Sequence, residues 1–288
     1  MTEERARIGL IGGSGVYDLS GIEGLHEEKL ETPFGAPSDS YFTGTLGGVP
    51  VAFFSRHARG HRYSPTDVNY RANICGFKML GCDALLSASA VGSLREEYPP
   101  RHAVVPDQFI DRTRHRTDSF FDGGVVAHAG FADPICPALS DALEASARES
   151  GIAVHRGGTY VCMEGPQFST RAESHLYRSW GADVIGMTNL TEARLAREAE
   201  LCYATLAFVT DYDCWRESTE PVSVEGVLAV LSENAEGARR AMRAAVAKVA
   251  ADRSCGCRDA MRYAILTDPK AISEEARRRL LPIAGRYL

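Results

Sequence analysis

The sequence predicts an α/β protein on a largely parallel sheet, and three observations carry that expectation. Strand-like and helix-like segments alternate through the second half of the chain. The strands are short apolar runs rich in β-branched residues, the pattern of buried strands. The 288 residues are 44% hydrophobic and 24% charged, an ordinary globular composition. No linker or repeat divides the chain, so residues 1–288 read as a single domain.

The first strand is Ile8-Gly-Leu-Ile11, ending in Gly12-Gly13-Ser14-Gly15. Such a turn lets backbone N–H groups approach an anion, and Ser14 adds a hydroxyl. Its spacing is neither the dinucleotide fingerprint nor a P-loop. Ser40-Tyr-Phe-Thr-Gly-Thr45 and Val49-Pro-Val-Ala-Phe-Phe54, joined by Gly47-Gly48, predict a hairpin. The hairpin empties into Arg56-His57, where Arg offers phosphate a planar fork and His adds a donor. Ser64-Pro65-Thr66-Asp67 predicts a helix start, with the helix running to about Gly81. Ala84-Leu-Leu-Ser-Ala-Ser-Ala90 is a buried strand, and residues 104–111 read as another. The polar segment 112–131, which holds His128, reads as a long loop. Further helices are expected over 137–150, 171–180, 191–201 and 224–252, with strands over 154–163, 182–187 and 202–210. A basic, mostly helical tail occupies about 255–288.

The net charge of −6 argues against bulk affinity for nucleic acid or anionic membranes. A small anion needs only a local Arg or a helix N-terminus, so it stays possible. No apolar run is long enough to cross a bilayer and no signal-peptide pattern opens the chain, which reads as cytoplasmic. Five of the eight cysteines, Cys75, Cys82, Cys136, Cys162 and Cys202, lie in apolar segments and read as buried thiols. Cys255-Gly-Cys257 stands apart. With no second Cys/His pair near it in the chain, it does not read as a zinc site. A redox-sensitive pair and two ordinary thiols both fit.

Asp211-Tyr212-Asp213 follows the strand 202–210, and alternation lets both carboxylates point the same way. Ligands of parallel α/β sheets bind beyond the carboxyl ends of the strands. Two carboxylates there suit hydrogen bonding or proton transfer to a ligand, and equally a turn cap.

Seven stretches in order carry a resemblance. They are Ile8-Gly-Leu-Ile-Gly-Gly-Ser-Gly15, Thr32-Pro-Phe-Gly-Ala-Pro-Ser-Asp39, Ser93-Leu-Arg-Glu-Glu97, Asp107-Gln-Phe-Ile-Asp-Arg-Thr113, Glu164-Gly-Pro-Gln-Phe-Ser169, Arg171-Ala-Glu-Ser174 and Thr210-Asp-Tyr-Asp-Cys-Trp215. Together they resemble the 5′-methylthioadenosine phosphorylases of the trimeric purine nucleoside phosphorylase group. The resemblance covers about residues 7–249. It implies an α/β fold with a mixed, partly barrel-like sheet flanked by helices. It implies phosphorolysis of the N-glycosidic bond to adenine and 5-methylthioribose 1-phosphate, with no metal or organic cofactor. Phosphate would be held by Gly12, Ser14, Arg56, His57, Ser89, Ala90 and Thr188. Met187 would lie along the ribose and Phe168 beside the base, with Ser169, Asp211 and Asp213 facing the purine. Val224 and Leu228 would line the methylthio pocket, and His128 would reach it from a neighbouring subunit of a trimer or a dimer of trimers. The partners implied are therefore a nucleoside, phosphate and further copies of the chain.

That assignment suits the chemistry. Cleavage builds positive charge on the sugar and negative charge on the leaving purine. Phosphate is the nucleophile, so the protein need only position it. Asp211 would protonate or hydrogen-bond purine N7, and Asp213 would accept from the exocyclic amino group. A carboxylate facing a 6-oxo group would repel it, so two Asp favour a 6-aminopurine. A phosphorylase for methylthioinosine or for broader purine nucleosides is the alternative. The sequence departs from the family at Ser14 and Ser89, often Thr, at Val91, and at Asn189-Leu190-Thr191, where the usual run contains Pro. Cys255-Gly-Cys257 resembles a C-terminal pair of some heat-stable relatives.

Overall fold

The computed structural model describes residues 7–13, 21–216, 222–249 and 253–288. Ser14 and the 250–252 end of the expected long helix lie outside them.

The chain opens with β1 (Arg7–Gly12), β2 (Glu23–Glu28), β3 (Tyr41–Leu46) and β4 (Val49–Ser55), followed by α1 (Tyr70–Met79) and β5 (Cys82–Ser93). Then come β6 (Ala103–Val105), β7 (Gln108–Arg112), α2 (Pro137–Glu149), β8 (Val154–Arg156) and β9 (Thr159–Met163). The remainder is α3 (Arg171–Ser179), β10 (Val184–Gly186), α4 (Asn189–Glu198), β11 (Cys202–Asp211), α5 (Val224–Lys248) and α6 (Glu274–Ala284). The tail before α6 holds two short 3₁₀ turns, so it is less helical than its composition suggests.

The strands form one mixed sheet, eleven-stranded among the described residues. β5 is its axis. It pairs in parallel with β1 and β11, and its last residues pair antiparallel with β10. β3 and β4 form the expected hairpin, with β4 parallel to β1. β2 is an edge strand that the sequence reading missed. Its exposed Glu-Gly-Leu-His-Glu-Glu has no apolar face to betray it.

The two long strands expected over 104–111 and 154–163 are each broken in two. Pro106 interrupts the first, lacking an N–H. Gly157 (φ 82°) and Gly158 (φ 113°) interrupt the second in conformations that require glycine. The broken ribbon turns a corner. β6 pairs with β11, while β7 pairs with β9 and β9 with β10. The sheet therefore curls around β5 without closing, the partly barrel-like form expected.

The helix expected from Ser64 begins instead at Tyr70. Asn69 is its cap, the side chain accepting from Ala72 N. Ser64 and Asp67 close a separate turn, Ser64 Oγ donating to Asp67 at 2.6 Å, and the Thr66 hydroxyl is given to Glu164. The core lies between the sheet and its helices. Tyr41 and Phe54 stack and meet Phe77 of α1 edge-on, with Leu85 on the same side of the sheet, while Leu86, Leu143, Leu206 and Ala245 lie on the side of α2 and α5. β1, β4, β5 and β11 run the same way, so their carboxyl ends, with Gly12, Arg56, Ser89 and Asp211, open on one side.

Candidate active site

Two clusters form along β5. The first surrounds Arg56. Gly12 pairs with Ser55 across β1 and β4, and its carbonyl accepts from Arg56 N, fixing the residue after the strand. The Arg56 side chain is buried. Its Nε donates to Glu192, and its Nη2 donates to Glu192 Oε2 at 3.1 Å and to Ser87 Oγ at 2.7 Å. Among the described residues Nη1 has only a long contact of 3.4 Å to the Ala88 carbonyl, and it lies against Gly13. A Cβ on Gly13 would sit 2.8 Å from Nη1 and 2.6 Å from Ala88 O, so this approach requires glycine. Glu192 in turn keeps the guanidinium charged despite burial. It also accepts from Tyr203 OH at 2.7 Å. Asn189 knits the cluster. Its Oδ1 accepts from Ser89 Oγ at 2.7 Å, and its Nδ2 reaches Ser87, Tyr203 and Thr205 hydroxyls.

Glu192, Asn189 and Ser87 were not singled out from the sequence. The signal was available. Asn189 and Glu192 are three apart on one face of α4, opposite Tyr203 and Thr205, which share a face of an otherwise apolar strand. Thr188, buried, leads into α4 beside them, so the departure at Asn189-Leu190-Thr191 is a change at a helix start. Ala90 is half-buried on β5, opposite Phe208. His57 is turned partly aside. Its ring stacks on His61 and its Nδ1 lies 2.9 Å from Tyr63 O. Burial, then the Arg56 charge, pushes it down to about 3. With Nδ1–H given to a carbonyl, Nε2 of this neutral ring is an acceptor, not the donor expected.

The second cluster lies three residues further along β5. A bulge between Val209 and Asp211 brings Asp211 opposite Gly92. Asp211 Oδ2 accepts from Thr210 Oγ1 and Oδ1 from Asp213 N, both at 2.7 Å. Burial nevertheless raises its carboxyl to about 6, with the Asp213 charge adding to the rise. Asp213 takes the left-handed conformation (φ 50°), which Asp tolerates better than most residues. Burial raises its carboxyl too, with the Ser174 and Ser169 hydroxyls nearby. Its Oδ2 is a buried acceptor without a hydrogen-bond partner among the described residues. A Cβ on Gly92 would lie 2.9 Å from Asp211 Oδ1 and 3.1 Å from Ile185, so Gly92 makes room for the carboxylate. The Trp215 indole N–H donates to Ser93 O at 2.8 Å, with Arg178 over its ring at 3.5 Å, anchoring the turn after Asp213.

Between the clusters lies Met187, held by Arg116, another residue that sequence reasoning missed within the segment 112–131. Arg116 donates to the Met187 carbonyl, to Glu164 O at 2.8 Å and to Glu164 Oε1 at 3.1 Å. Burial opposes charge on Glu164, yet hydrogen bonds from Thr66 and from the Arg114 and His115 amides bring it down to about 2. Gly165 packs on the Met187 sulfur, where a Cβ would sit 2.6 Å away. Ser169 joins this side, its carbonyl accepting from Cys214 Sγ at 3.2 Å.

Four candidates are exposed in the single chain. Phe168, Val224 and Leu228 are 42%, 64% and 50% exposed. His128 is exposed and sits on the loop that pairs with the tail, its N–H donating to Ala264 O at 2.8 Å. No ion-binding group was expected, yet Cys136, Cys202, Cys255 and Cys257 bring four sulfurs within 4.8 Å of one another. The partners of Cys255-Gly-Cys257 are close in space although distant in the chain. All eight cysteines are free thiols.

Comparison with known proteins places this arrangement. Residues 7–247 match the model of the phosphorylase superfamily. An S-methyl-5′-thioadenosine phosphorylase of Geobacter sulfurreducens is 56% identical over 98% of this chain and 99% of its own. The crystal structure of a methylthioadenosine phosphorylase from an antarctic soil metagenomic library superposes with a TM-score of 0.91, at 46% identity, covering 98% of this chain and 99% of that one. A methylthioadenosine phosphorylase of Schistosoma mansoni in complex with adenine gives 0.85 at 36% identity, over 89% and 96% of the two chains. Similarity of this extent, in sequence and in fold, shows that the chain belongs to the phosphorylase superfamily and, within it, to the S-methyl-5′-thioadenosine phosphorylases.

Proposed function

We propose that this protein cleaves 5′-methylthioadenosine with phosphate, reversibly, to adenine and 5-methylthioribose 1-phosphate. The observation that carries the reading is the pair of clusters on β5, an anion-suited one at Arg56 and Ser89 and a carboxylate one at Asp211 and Asp213.

Phosphate sits at the first cluster, against Arg56 Nη1, the Gly12–Gly13 backbone, Ala90 and the Thr188 hydroxyl, with the Ser89 hydroxyl turning to it from Asn189 Oδ1. Ser14, expected here from the sequence, lies outside the described residues. Glu192 cancels much of the Arg56 charge, so directed N–H and O–H donors contribute most of the binding. His57, neutral, accepts a hydrogen bond at Nε2 from a protonated phosphate oxygen. The nucleophile is thereby held under the anomeric carbon, which saves the cost of a bimolecular encounter. Met187 lies along the ribose, placed by Arg116. At the other end Asp211, raised to about 6, holds or shares the proton that purine N7 needs as the bond breaks. The unpartnered Asp213 Oδ2 accepts from the 6-amino group, and Phe168 and Ser169 flank the base. Inorganic phosphate is the co-substrate, and the reaction draws on no metal or organic cofactor.

The exposed apolar Phe168, Val224 and Leu228 suit a site completed between subunits. In that arrangement Val224 and Leu228 form the methylthio pocket, and a neighbouring copy adds His128, in a homotrimer or a dimer of trimers. Adenine release from methylthioadenosine, measured with and without phosphate, tests the reaction. Release is expected only with phosphate; equal release without it would establish a hydrolase instead.

A further inference from the structure

At the opposite end of β11 from Asp211 the chain gathers four cysteines from three places. Cys136 is the N-cap of α2, Cys202 opens β11, Cys255 is the N-cap of the first 3₁₀ turn of the tail, and Cys257 lies within that turn. Their four Sγ atoms lie within 4.8 Å of one another, and Cys202 Sγ stands 3.4 Å from Cys255 Sγ. We propose that these four sulfurs form a structural site for one thiophilic divalent cation, zinc in the first instance.

The spacing fits. Zinc bonds thiolate at about 2.3 Å, and a tetrahedron of that size sets its sulfurs roughly 3.8 Å apart. The observed separations bracket that value, so closure needs only small rotations of the side chains. The arrangement suits an ion better than two bridges, because every sulfur is near all three others rather than near one. The surroundings favour thiolates. Cys136 stands at the positive end of a thirteen-residue helix. The buried Arg253 lies beside Cys202 while pairing with Asp83 at 2.6 Å. Cys136, Cys202 and Cys257 are buried and Cys255 is partly open, which gives a closed structural site with a path of entry.

Its role is mechanical. Nine residues of extended strand, about 30 Å, separate Cys202 from Asp211, so the ion takes no part in the reaction. It fastens the tail to the N-terminus of α2 and the start of β11. The same tail carries Ala264 and Ile265, which pair with the loop of His128 and Ala127. Binding releases the thiol protons as the four sulfur–metal bonds form, and no oxidant is required.

The test is metal analysis of the full-length protein, purified under reductant and incubated with zinc before gel filtration. One zinc per chain is expected. Cys136→Ser and Cys257→Ser should each lose it, with a lowered melting temperature. Cobalt substitution of the unaltered chain gives a reading independent of the variants. Thiolate-to-cobalt charge-transfer bands with tetrahedral visible absorption are expected. Reduced protein that retains no stoichiometric zinc and gives no such spectrum overturns the proposal. So does peptide mapping that finds these cysteines bridged in protein as purified without reductant, together with no zinc uptake after reduction.

Discussion

At the scale of single residues, the two charged centres of the proposed site are handled in opposite ways. Arg56 is buried with its counter-ion supplied, so removing that partner strands a charge. Glu192→Gln is expected to lower stability by about 3–5 kcal/mol, read by chemical denaturation. The double variant with Arg56→Met should recover most of that loss, since the stranded charge is then gone. Asp211 is buried with no counter-ion. Its folded carboxyl titrates near 6, above an unfolded value of about 4, so the folded state holds the proton more tightly. The stability this proton brings is fully present below about pH 4 and is lost as pH rises through about 6, a change on the order of 2–3 kcal/mol. Asp211→Asn should abolish that share of the pH dependence in melting curves. The same variant should lower kcat/KM for methylthioadenosine about 10²–10⁴-fold, with a smaller loss on methylthioinosine. An unchanged ratio between the two substrates would remove Asp211 from base selection. Asp211 and Asp213 stood out in the sequence as two carboxylates at the end of an apolar strand, but position alone favoured a turn cap, and it was the resemblance that assigned them to the purine. Glu192 and Asn189 did not stand out, because a polar residue in the first turn of a helix ordinarily faces water. Only the facing hydroxyls of β11 turn them inward.

At the scale of elements, strands β5 and β11 place the chemistry and their irregularities aim it. The bulge before Asp211 and the glycine opposite it are two halves of one device. Gly92→Ala puts a methyl where the carboxylate lies, and is expected to cost on the order of 10²-fold in kcat/KM through misplacement of Asp211. The KM for phosphate should stay near the parent value, and initial rates with each substrate varied in turn separate the two effects. The strands themselves were readable as apolar runs, and most of the helices as amphipathic ones. The breaks at Pro106 and at Gly157-Gly158 were not counted as breaks, although Pro and paired glycines are the residues that end a ladder. The start of α1 was misplaced for a similar reason. Ser64-Pro65-Thr66-Asp67 has capping chemistry, but its side chains are spent on a local turn and on Glu164, which leaves Asn69 to cap the helix.

At the scale of the whole molecule, apolar residues are left outside the core at the start of α5. If Val224 and Leu228 receive the methylthio group, Val224→Ser with Leu228→Ser should narrow the preference for methylthioadenosine over adenosine by ~1–3 kcal/mol. Competition between the two nucleosides measures it, and an unaltered preference would place the pocket elsewhere. The sequence reading named such residues through resemblance alone, and in the single chain both are exposed. The four cysteines were illegible for a simpler reason. Cys136 and Cys257 are brought together by packing although α2, β11 and α5 intervene between or beside them in the chain, and spacing along the sequence carries no trace of that. β5 has a different consequence. Ser89 and Gly92 stand three residues apart on β5, about 10 Å of backbone that β11 pairs along its whole length. The strand thus works as a gauge block whose length no loop motion alters. Closing segments can admit or exclude a nucleoside, yet the span from attacking oxygen to departing base is set when the protein folds. Evolution toward other nucleosides therefore has the fittings at either end of the gauge to work on, and not the interval between them.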